Sequence, residues 1–317
     1  MSKVKTEKSV EESIVPHDFK DRLIIHVYEG INCNPNGDPD DGNHPRYNYE
    51  TQKAQMSHYS IKRFMRDYLG DDAFYSYDEY DVRKYISGKA VNGALGRLIQ
   101  ANGGEKIDSK DKEAISVFLS KFIDNRVFGY VVDGNKTDGA LQVCGALINS
   151  LNKCEVKTNG LTCIFPTDTD KGQGTIGKFH TIPFTVFAAP FDYNGKKGKK
   201  NGVRVDDIEQ FIKLQYIAVD SKKTTSKNFN SVCMIEIIKK QYSDGSFPNI
   251  KGIDKLVGIE KTSENDYIYS DDDFKYNFDN IYKLSELDFI ENIIIHTDYY
   301  NEQLFKNTDK VKIKLIR

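Results

Sequence analysis

Between residues 34 and 46 the chain reads Asn34-Pro35-Asn36-Gly37-Asp38-Pro39-Asp40-Asp41-Gly42-Asn43-His44-Pro45-Arg46, which excludes a long helix or strand there. Its three prolines fix φ and lack donors, its glycines permit positive φ, and Asn and Asp side chains close turns on their own backbone. Any fold must therefore carry an irregular loop at this point. Upstream, Arg22 to Tyr28 alternates Leu23, Ile25 and Val27 with Ile24, His26 and Tyr28, the period of a strand. Downstream, Ile61, Phe64, Met65, Tyr68 and Leu69 share one helical face, with Lys62, Arg63 and Arg66 opposite. Ser57 or Ser60 is the expected cap. That places three cations in the first turns, where free N–H groups and the helix dipole also favour an anion such as phosphate. A solvated basic face is the plainer alternative.

The bulk composition does not itself demand a nucleic acid. At 317 residues the chain can bury a substantial core in one large domain or two. The net charge is −2, so any nucleic-acid contact must come from local basic patches. With 38% hydrophobic residues and a mean hydropathy of −0.58, no membrane span is expected. Residues 1–21 mix Lys and Glu without an apolar core, which predicts a flexible tail and no signal peptide. The five cysteines (Cys33, Cys144, Cys154, Cys163, Cys233) are scattered and lack any Cys-x-x-Cys pair. Neither a zinc site nor a disulfide framework is indicated, and a cytoplasmic location with reduced thiols is expected.

Further along, residues 70–81 form an acidic, tyrosine-rich loop, and Tyr85 to Ala101 an amphipathic helix stopped by Asn102-Gly103-Gly104. A second helix spans Asp111 to Ile123, capped by Ser109 or Asp111. A short strand is expected over Val127 to Val132, continued by Ala140 to Leu147. Strands over Leu161 to Phe165 and Phe179 to Phe187 flank an overlong exposed tip, Pro166 to Gly174. Asn194 to Gly202 reads as flexible and basic, and Val205 to Val219 as an amphipathic helix opened by Asp206-Asp207. Lys222, Lys223 and Lys227 lead into a strand over Ser231 to Ile238, and an acidic last third ends in a strand over Val311 to Ile316. This order does not alternate as a parallel α/β sheet would, and predicts an α+β fold with long insertions.

Several chemical signatures fail on context. Gly172 to Gly177 matches Gly-x-Gly-x-x-Gly, and Gly172 to Lys178 matches Gly-x-x-x-x-Gly-Lys, but a strand-like Phe179-His180-Thr181-Ile182-Pro183 follows where a helix is required. Asn34, Asn36, Asp38 and Asp40 alternate like calcium ligands, yet Pro39 stands at the glycine position and Pro45 at the glutamate position. The six histidines form no triad or metal set, so no catalytic residue, metal or cofactor is assigned.

Four segments in order resemble one family. Asn34-Pro35-Asn36-Gly37-Asp38-Pro39 with Lys62-Arg63…Arg66-Asp67-Tyr68-Leu69 is similar to the backbone subunits of type I CRISPR-associated Cascade complexes (the "Cas seven" family, Csd/Csh branch). Asp124-Asn125-Arg126-Val127-Phe128-Gly129 resembles that family's Asp-x-Arg-x-Phe-Gly, Thr137-Asp138-Gly139-Ala140-Leu141-Gln142 its Thr-Gly-x-x-Gln, and Thr175-Ile176-Gly177-Lys178 its Thr-Met-Gly-Arg. The resemblance implies a modified RRM-like (ferredoxin-like) palm over residues 22–317, with helical fingers near 70–123 and a β-hairpin thumb near 149–178. It implies a non-catalytic subunit that polymerises head to tail along CRISPR RNA (crRNA) and presents it for pairing with target DNA among other Cascade subunits. The expected RNA contacts are Asn34, Asn36, Gly37, Asn43, Arg46, Ser60, Lys62, Arg63, Arg66, Arg126, Thr137, Gln142, Thr175 and Lys178. Lys178 keeps the charge of the family's arginine without its planar fork. A metal-dependent RNA-cleaving subunit of type III kind, using Asp38, Asp40 or Asp41, and a generic single-stranded RNA-binding protein are the alternatives.

Overall fold

Apolar side chains on both sides of the first strand, β1 (Arg22–Cys33), make it the centre of a sheet covered on both faces. The computed structural model describes residues 19–75, 93–108, 110–162 and 176–316. After β1 come the short strands β2 (Gly37–Asp38), β3 (His44–Pro45), β4 (Tyr47–Asn48) and β5 (Lys53–Ser57), and helix α1 (His58–Leu69). Helices α2 (Gly93–Ala101), α3 (Lys112–Leu119) and α4 (Ile123–Phe128) follow, then β6 (Gly129–Val132), β7 (Asn135–Asp138), β8 (Leu141–Val143) and β9 (Leu147–Asn149). Next are β10 (Lys157–Thr162), β11 (Ile176–Tyr193), α5 (Gly195–Asn201), α6 (Asp207–Ser221) and β12 (Phe229–Lys239). The last third adds β13 (Gly258–Lys261), β14 (Phe274–Asn277), α7 (Asp279–Ser285), β15 (Ile290–Thr297) and β16 (Val311–Leu315).

The main sheet has seven strands in the order β10-β11-β1-β12-β15-β16, with β8 also paired to β11. All its pairs are antiparallel except β15 with β16, so the sheet is mixed, in an α+β arrangement. Ile24 and Tyr28 pack with Ile61, Phe64 and Met65 of α1 and Phe211, Ile212 and Tyr216 of α6. Leu23, Ile25 and Val27 face the other way, onto Ile235, Ile293, Phe274, Phe278 and Ile281. The acidic last third is thus the second cover of the sheet. His26 lies on the sheet face, fully buried, with Nε2 3.1 Å from Ser231 Oγ; burial holds its pKa down to about 3. It is a neutral core histidine.

Strands expected over Arg22 to Tyr28, Ser231 to Ile238 and Val311 to Ile316 are present, as is the helix expected over Val205 to Val219, here Asp207–Ser221. The helix expected over Asp111 to Ile123 ends at Leu119, the strand expected over Ala140 to Leu147 is split into β8 and β9, and the one expected over Leu161 to Phe165 begins earlier, at Lys157. Three further segments differ more deeply. Val127 and Phe128, expected in a strand, close α4, which turns sharply at Gly129 (φ 76°). The basic run after Asn194 is helix α5, because Asn194 caps it and two glycines let it lie close to its neighbours. A Cβ on Gly195 would sit 1.7 Å from Phe19 O, and one on Gly198 2.1 Å from the Tyr193 hydroxyl. Phe179 to Phe187 belongs to one 18-residue strand, β11, despite Pro183. Pro183 is tolerated because it falls where the β1 ladder is interrupted: the register is the same at Ile31↔Phe184 and Cys33↔Ile182, and the position between them, Asn32 (φ 47°) opposite Pro183, is left out of the pairing.

The helix expected over Tyr85 to Ala101 is described only as Gly93–Ala101, ended by Gly103 and Gly104 at positive φ. Asp111 caps α3. The tail to residue 18, the start of that first helix, Ser109, the tip Pro166 to Gly174 and Thr175 lie outside the described residues. Among the described residues no helix is long and apolar enough to cross a membrane.

Candidate nucleic-acid interface

The loop ahead of α1 is more regular than its sequence suggests. β2 and β3 pair as a miniature hairpin around a 3-10 turn at Pro39–Asp41. Its asparagines build it: Asn34 Nδ2 donates to Asn43 O at 2.7 Å, and Ser57 Oγ donates to Asn36 Oδ1 at 3.5 Å. Gly37 is required, since a Cβ there would sit 1.9 Å from Asn43 Oδ1. Arg46, expected as an RNA ligand, forks onto Asp38 through Nη1 (2.9 Å) and Nη2 (3.1 Å). The same carboxylate caps the 3-10 turn through Asp40 N–H. From below, Lys227 Nζ donates to the carbonyls of Asn34 (2.6 Å) and Pro35 (2.9 Å).

This loop meets the base of β11. Asn34, Gly42 and Asn43 share a cavity of about 90 Å³ with Lys178, His180 and Ser226, and the His44 and His180 rings lie 4.6 Å apart. Asn34, Asn43 and Lys178 are therefore brought together. Gly177 and Lys178 lie in a strand rather than ahead of a helix, so the nucleotide-loop pattern fails on context as expected.

α1 starts at His58 with Ser57 as its cap; Ser60 contributes its N–H to Ser57 Oγ (3.3 Å) and is not the cap. His58 N–H donates to Ala146 O at 3.0 Å, so the fold already uses part of the helix start. Lys62 and Arg63 lie in the second turn and Arg66 in the last, a correction to the expected first-turn cluster. The basic face is not fully solvated either, because α4 and β8 fold back over it. Lys62 is 9% exposed, with Nζ donating to Gln142 Oε1 at 3.3 Å and standing 5.2 Å from the Phe128 ring centre. Arg66 donates to the buried Asp124 at 3.1 Å and stacks on Tyr75 and Phe128. Arg63, the most open of the three at 43%, pairs with Asp67 one turn on.

Arg126 does not join this cluster. Its guanidinium grips Asp207 at 2.7 and 2.6 Å and donates to the carbonyls of Ser120 and Lys121, all at 5% exposure. With Thr137 it borders a second cavity, of about 130 Å³. The segments around Arg126 and Gln142 do interlock. A Cβ on Gly129 would lie 2.2 Å from Thr137 O and one on Gly139 2.4 Å from Phe128 O, and Gln142 Nε2 donates to Gly139 O at 3.1 Å.

Two cations stand out electrostatically. Burial, with Arg66 nearby, brings the Lys62 pKa down to about 8, and burial brings Lys227 to about 8 as well. Among the described residues neither is ion-paired; each donates only to neutral oxygens. Lys227 is hard to single out from sequence, where only the lysine run at 222–227 hints at it.

Residues 20–279 match the model of the family described as CRISPR-associated protein Cas7. A Haloferax volcanii protein of that name is 29% identical, the alignment covering 74% of this chain and 74% of that protein. A chain from a solved structure titled "CRISPR RNA-guided surveillance complex, pre-nicking" superposes with a TM-score of 0.52 at 12% identity, covering 92% of this chain and 96% of that one. That likeness is one of fold.

Proposed function

The chain belongs to the CRISPR-associated Cas7 family, and from that premise we propose that it is a non-catalytic crRNA-binding backbone subunit of a type I surveillance complex. Copies stack head to tail along the guide and leave base edges free to pair with target DNA. In this reading the sheet with α1 and α6 is an RRM-like palm, α2 and α3 belong to the fingers, and the β10–β11 ribbon is the base of the thumb. The fingers supply the surface for the next copy, a heterologous contact that does not close on itself.

The observation that carries the reading is the pair Lys62 and Lys227. Each is a cation at least partly buried and facing neutral oxygens, Lys227 on the carbonyls that open the loop and Lys62 on the helix that follows it. Burying a charge without a counter-charge is unfavourable, and a phosphodiester would supply the missing one. Backbone contacts of that kind hold a strand without reading its sequence, as a guide holder must. Asp38 is committed to Arg46 and to its own turn, which favours a binding over a cleaving role for the loop.

The test is binding of the full-length chain to single-stranded RNA across a salt series. Lys62→Gln with Lys227→Gln should flatten log K against log salt by about 0.7 for each phosphate that is no longer neutralised. An unchanged slope would refute the assignment. Incubating the RNA complex with complementary RNA and Mg²⁺ should leave that RNA intact; cleavage would favour the catalytic alternative.

A further inference from the structure

Helix α5 carries Lys196, Lys197, Lys199 and Lys200, all exposed, on a chain whose net charge is −2. Among the described residues none of the four is ion-paired. The helix is held in place by the Asn194 cap and by close approaches at Gly195 and Gly198, and Gly202 (φ 72°) ends it. A fixed row of unopposed lysines is a preorganised polyanion surface rather than a floppy tail.

Two further observations give that surface a direction and a chemistry. Asn201 Nδ2 donates to Asp138 O at 2.8 Å, and the next residue, Gly139, accepts from Gln142, whose Oε1 in turn holds Lys62. The lysine helix is therefore linked to the Lys62 end of the interface through a single turn. At the same junction lies the cavity of about 130 Å³, bordered by Lys200 together with Ser116, Tyr130, Thr137 and the Asp207-paired Arg126. Asn125, 1% exposed, also lines it, and its Oδ1 accepts no hydrogen bond. Hydroxyls and an unused acceptor suit a sugar hydroxyl, which can donate; a bare phosphate cannot.

We propose that α5 and this cavity form a second sugar–phosphate seat, continuing the path of the RNA strand from Lys62 across the Asp138–Gly139 turn. This rests on the RNA-binding reading above. The partner is ribose-containing single strand, with Lys199 and Lys200 on phosphates and the cavity on a ribose.

Full-length protein carrying Lys199→Gln and Lys200→Gln tests it, since both side chains are exposed and the fold should survive. Binding is measured to RNA and to DNA oligonucleotides of one sequence over a salt series, beside the Lys62→Gln/Lys227→Gln protein. The RNA slope is expected to fall by about 1.4, for two phosphates, and the DNA slope by a similar amount, since DNA carries the same phosphates. Thr137→Val should reduce the RNA-over-DNA preference without changing the slope. An unchanged RNA slope in the α5 variant, with a reduced one in the Lys62/Lys227 variant, would overturn the second seat and leave the first standing. An unchanged RNA-over-DNA preference in Thr137→Val would overturn the ribose assignment. Wild-type protein without salt-dependent RNA binding would overturn both.

Discussion

Arg126 and Lys62 are both basic, both nearly buried and both drawn from segments with the family pattern, yet their surroundings are opposite. Arg126 meets a carboxylate of 0% exposure in a two-pronged grip and gives further N–H groups to carbonyls. Lys62 meets an amide oxygen, an aromatic face and another cation. A neutralised guanidinium ties α4 to the start of α6 and has little left to offer a ligand. An ammonium with no opposing charge remains available to an anion. Burial alone does not distinguish framework from interface; the sign of what the buried charge faces does.

Breaking the contrast at its strongest point, Arg126→Ala leaves Asp207 buried and uncompensated. The expected loss is about 3–5 kcal/mol of folding stability, read by chemical denaturation. The salt slope of RNA binding by the surviving fold should be unchanged, because Arg126 is neutralised by Asp207 even though it borders the 130 Å³ cavity; a lower slope would make Arg126 a phosphate ligand.

Next in size is Lys62→Met, which should lower RNA affinity about tenfold while leaving stability at pH 7 equal or higher. Its pH signature is specific. The folded chain holds this proton less tightly than the unfolded one, with a pKa near 8 against an ordinary lysine value of 10.5. Stability from this group is therefore lowest below pH 8 and rises as pH climbs from about 8 towards 10.5. Unfolding curves at stepped pH should show that rise in wild-type protein and a diminished one in Lys62→Met. RNA affinity should move the other way, weakening as pH passes 8 because the phosphate contact needs the protonated form.

The smallest effect belongs to Arg63→Gln, whose partner is one turn away on an exposed face. About 0.3–0.5 kcal/mol of stability is expected, so any sizeable loss of RNA binding would come from the RNA contact itself.

The main sheet was legible in the sequence because period-2 runs such as Leu23 to Tyr28 and Val311 to Ile316 report burial directly. α6 was legible for the same reason at helical period. α1 was legible as a helix, but not its polar face. Amphipathic reading assigns the non-core side to water, and here α4 and β8 return over it, bringing Asp124, Phe128 and Gln142 against Lys62 and Arg66. Arg126 was placed with the RNA contacts because its partner, Asp207, is 81 residues away and leaves no local mark. α5 was hidden for a related reason: Gly-Lys-Lys-Gly-Lys-Lys has poor intrinsic helicity, and only packing of Gly195 and Gly198 against Phe19 and Tyr193 makes the glycines an advantage.

β11 is one continuous strand, pairing with β10 over Ile176 to Thr181 and with β1 from Ile182 to Tyr193. At roughly 3.3 Å per residue its 18 residues span about 60 Å. The strand changes partner between Thr181 and Ile182, next to the unpaired Pro183 and Asn32, without leaving extended conformation. Whatever the outer ribbon grips is therefore joined to the central ladder by a single run of backbone, with Pro183 as the one point along it where that ladder is relieved.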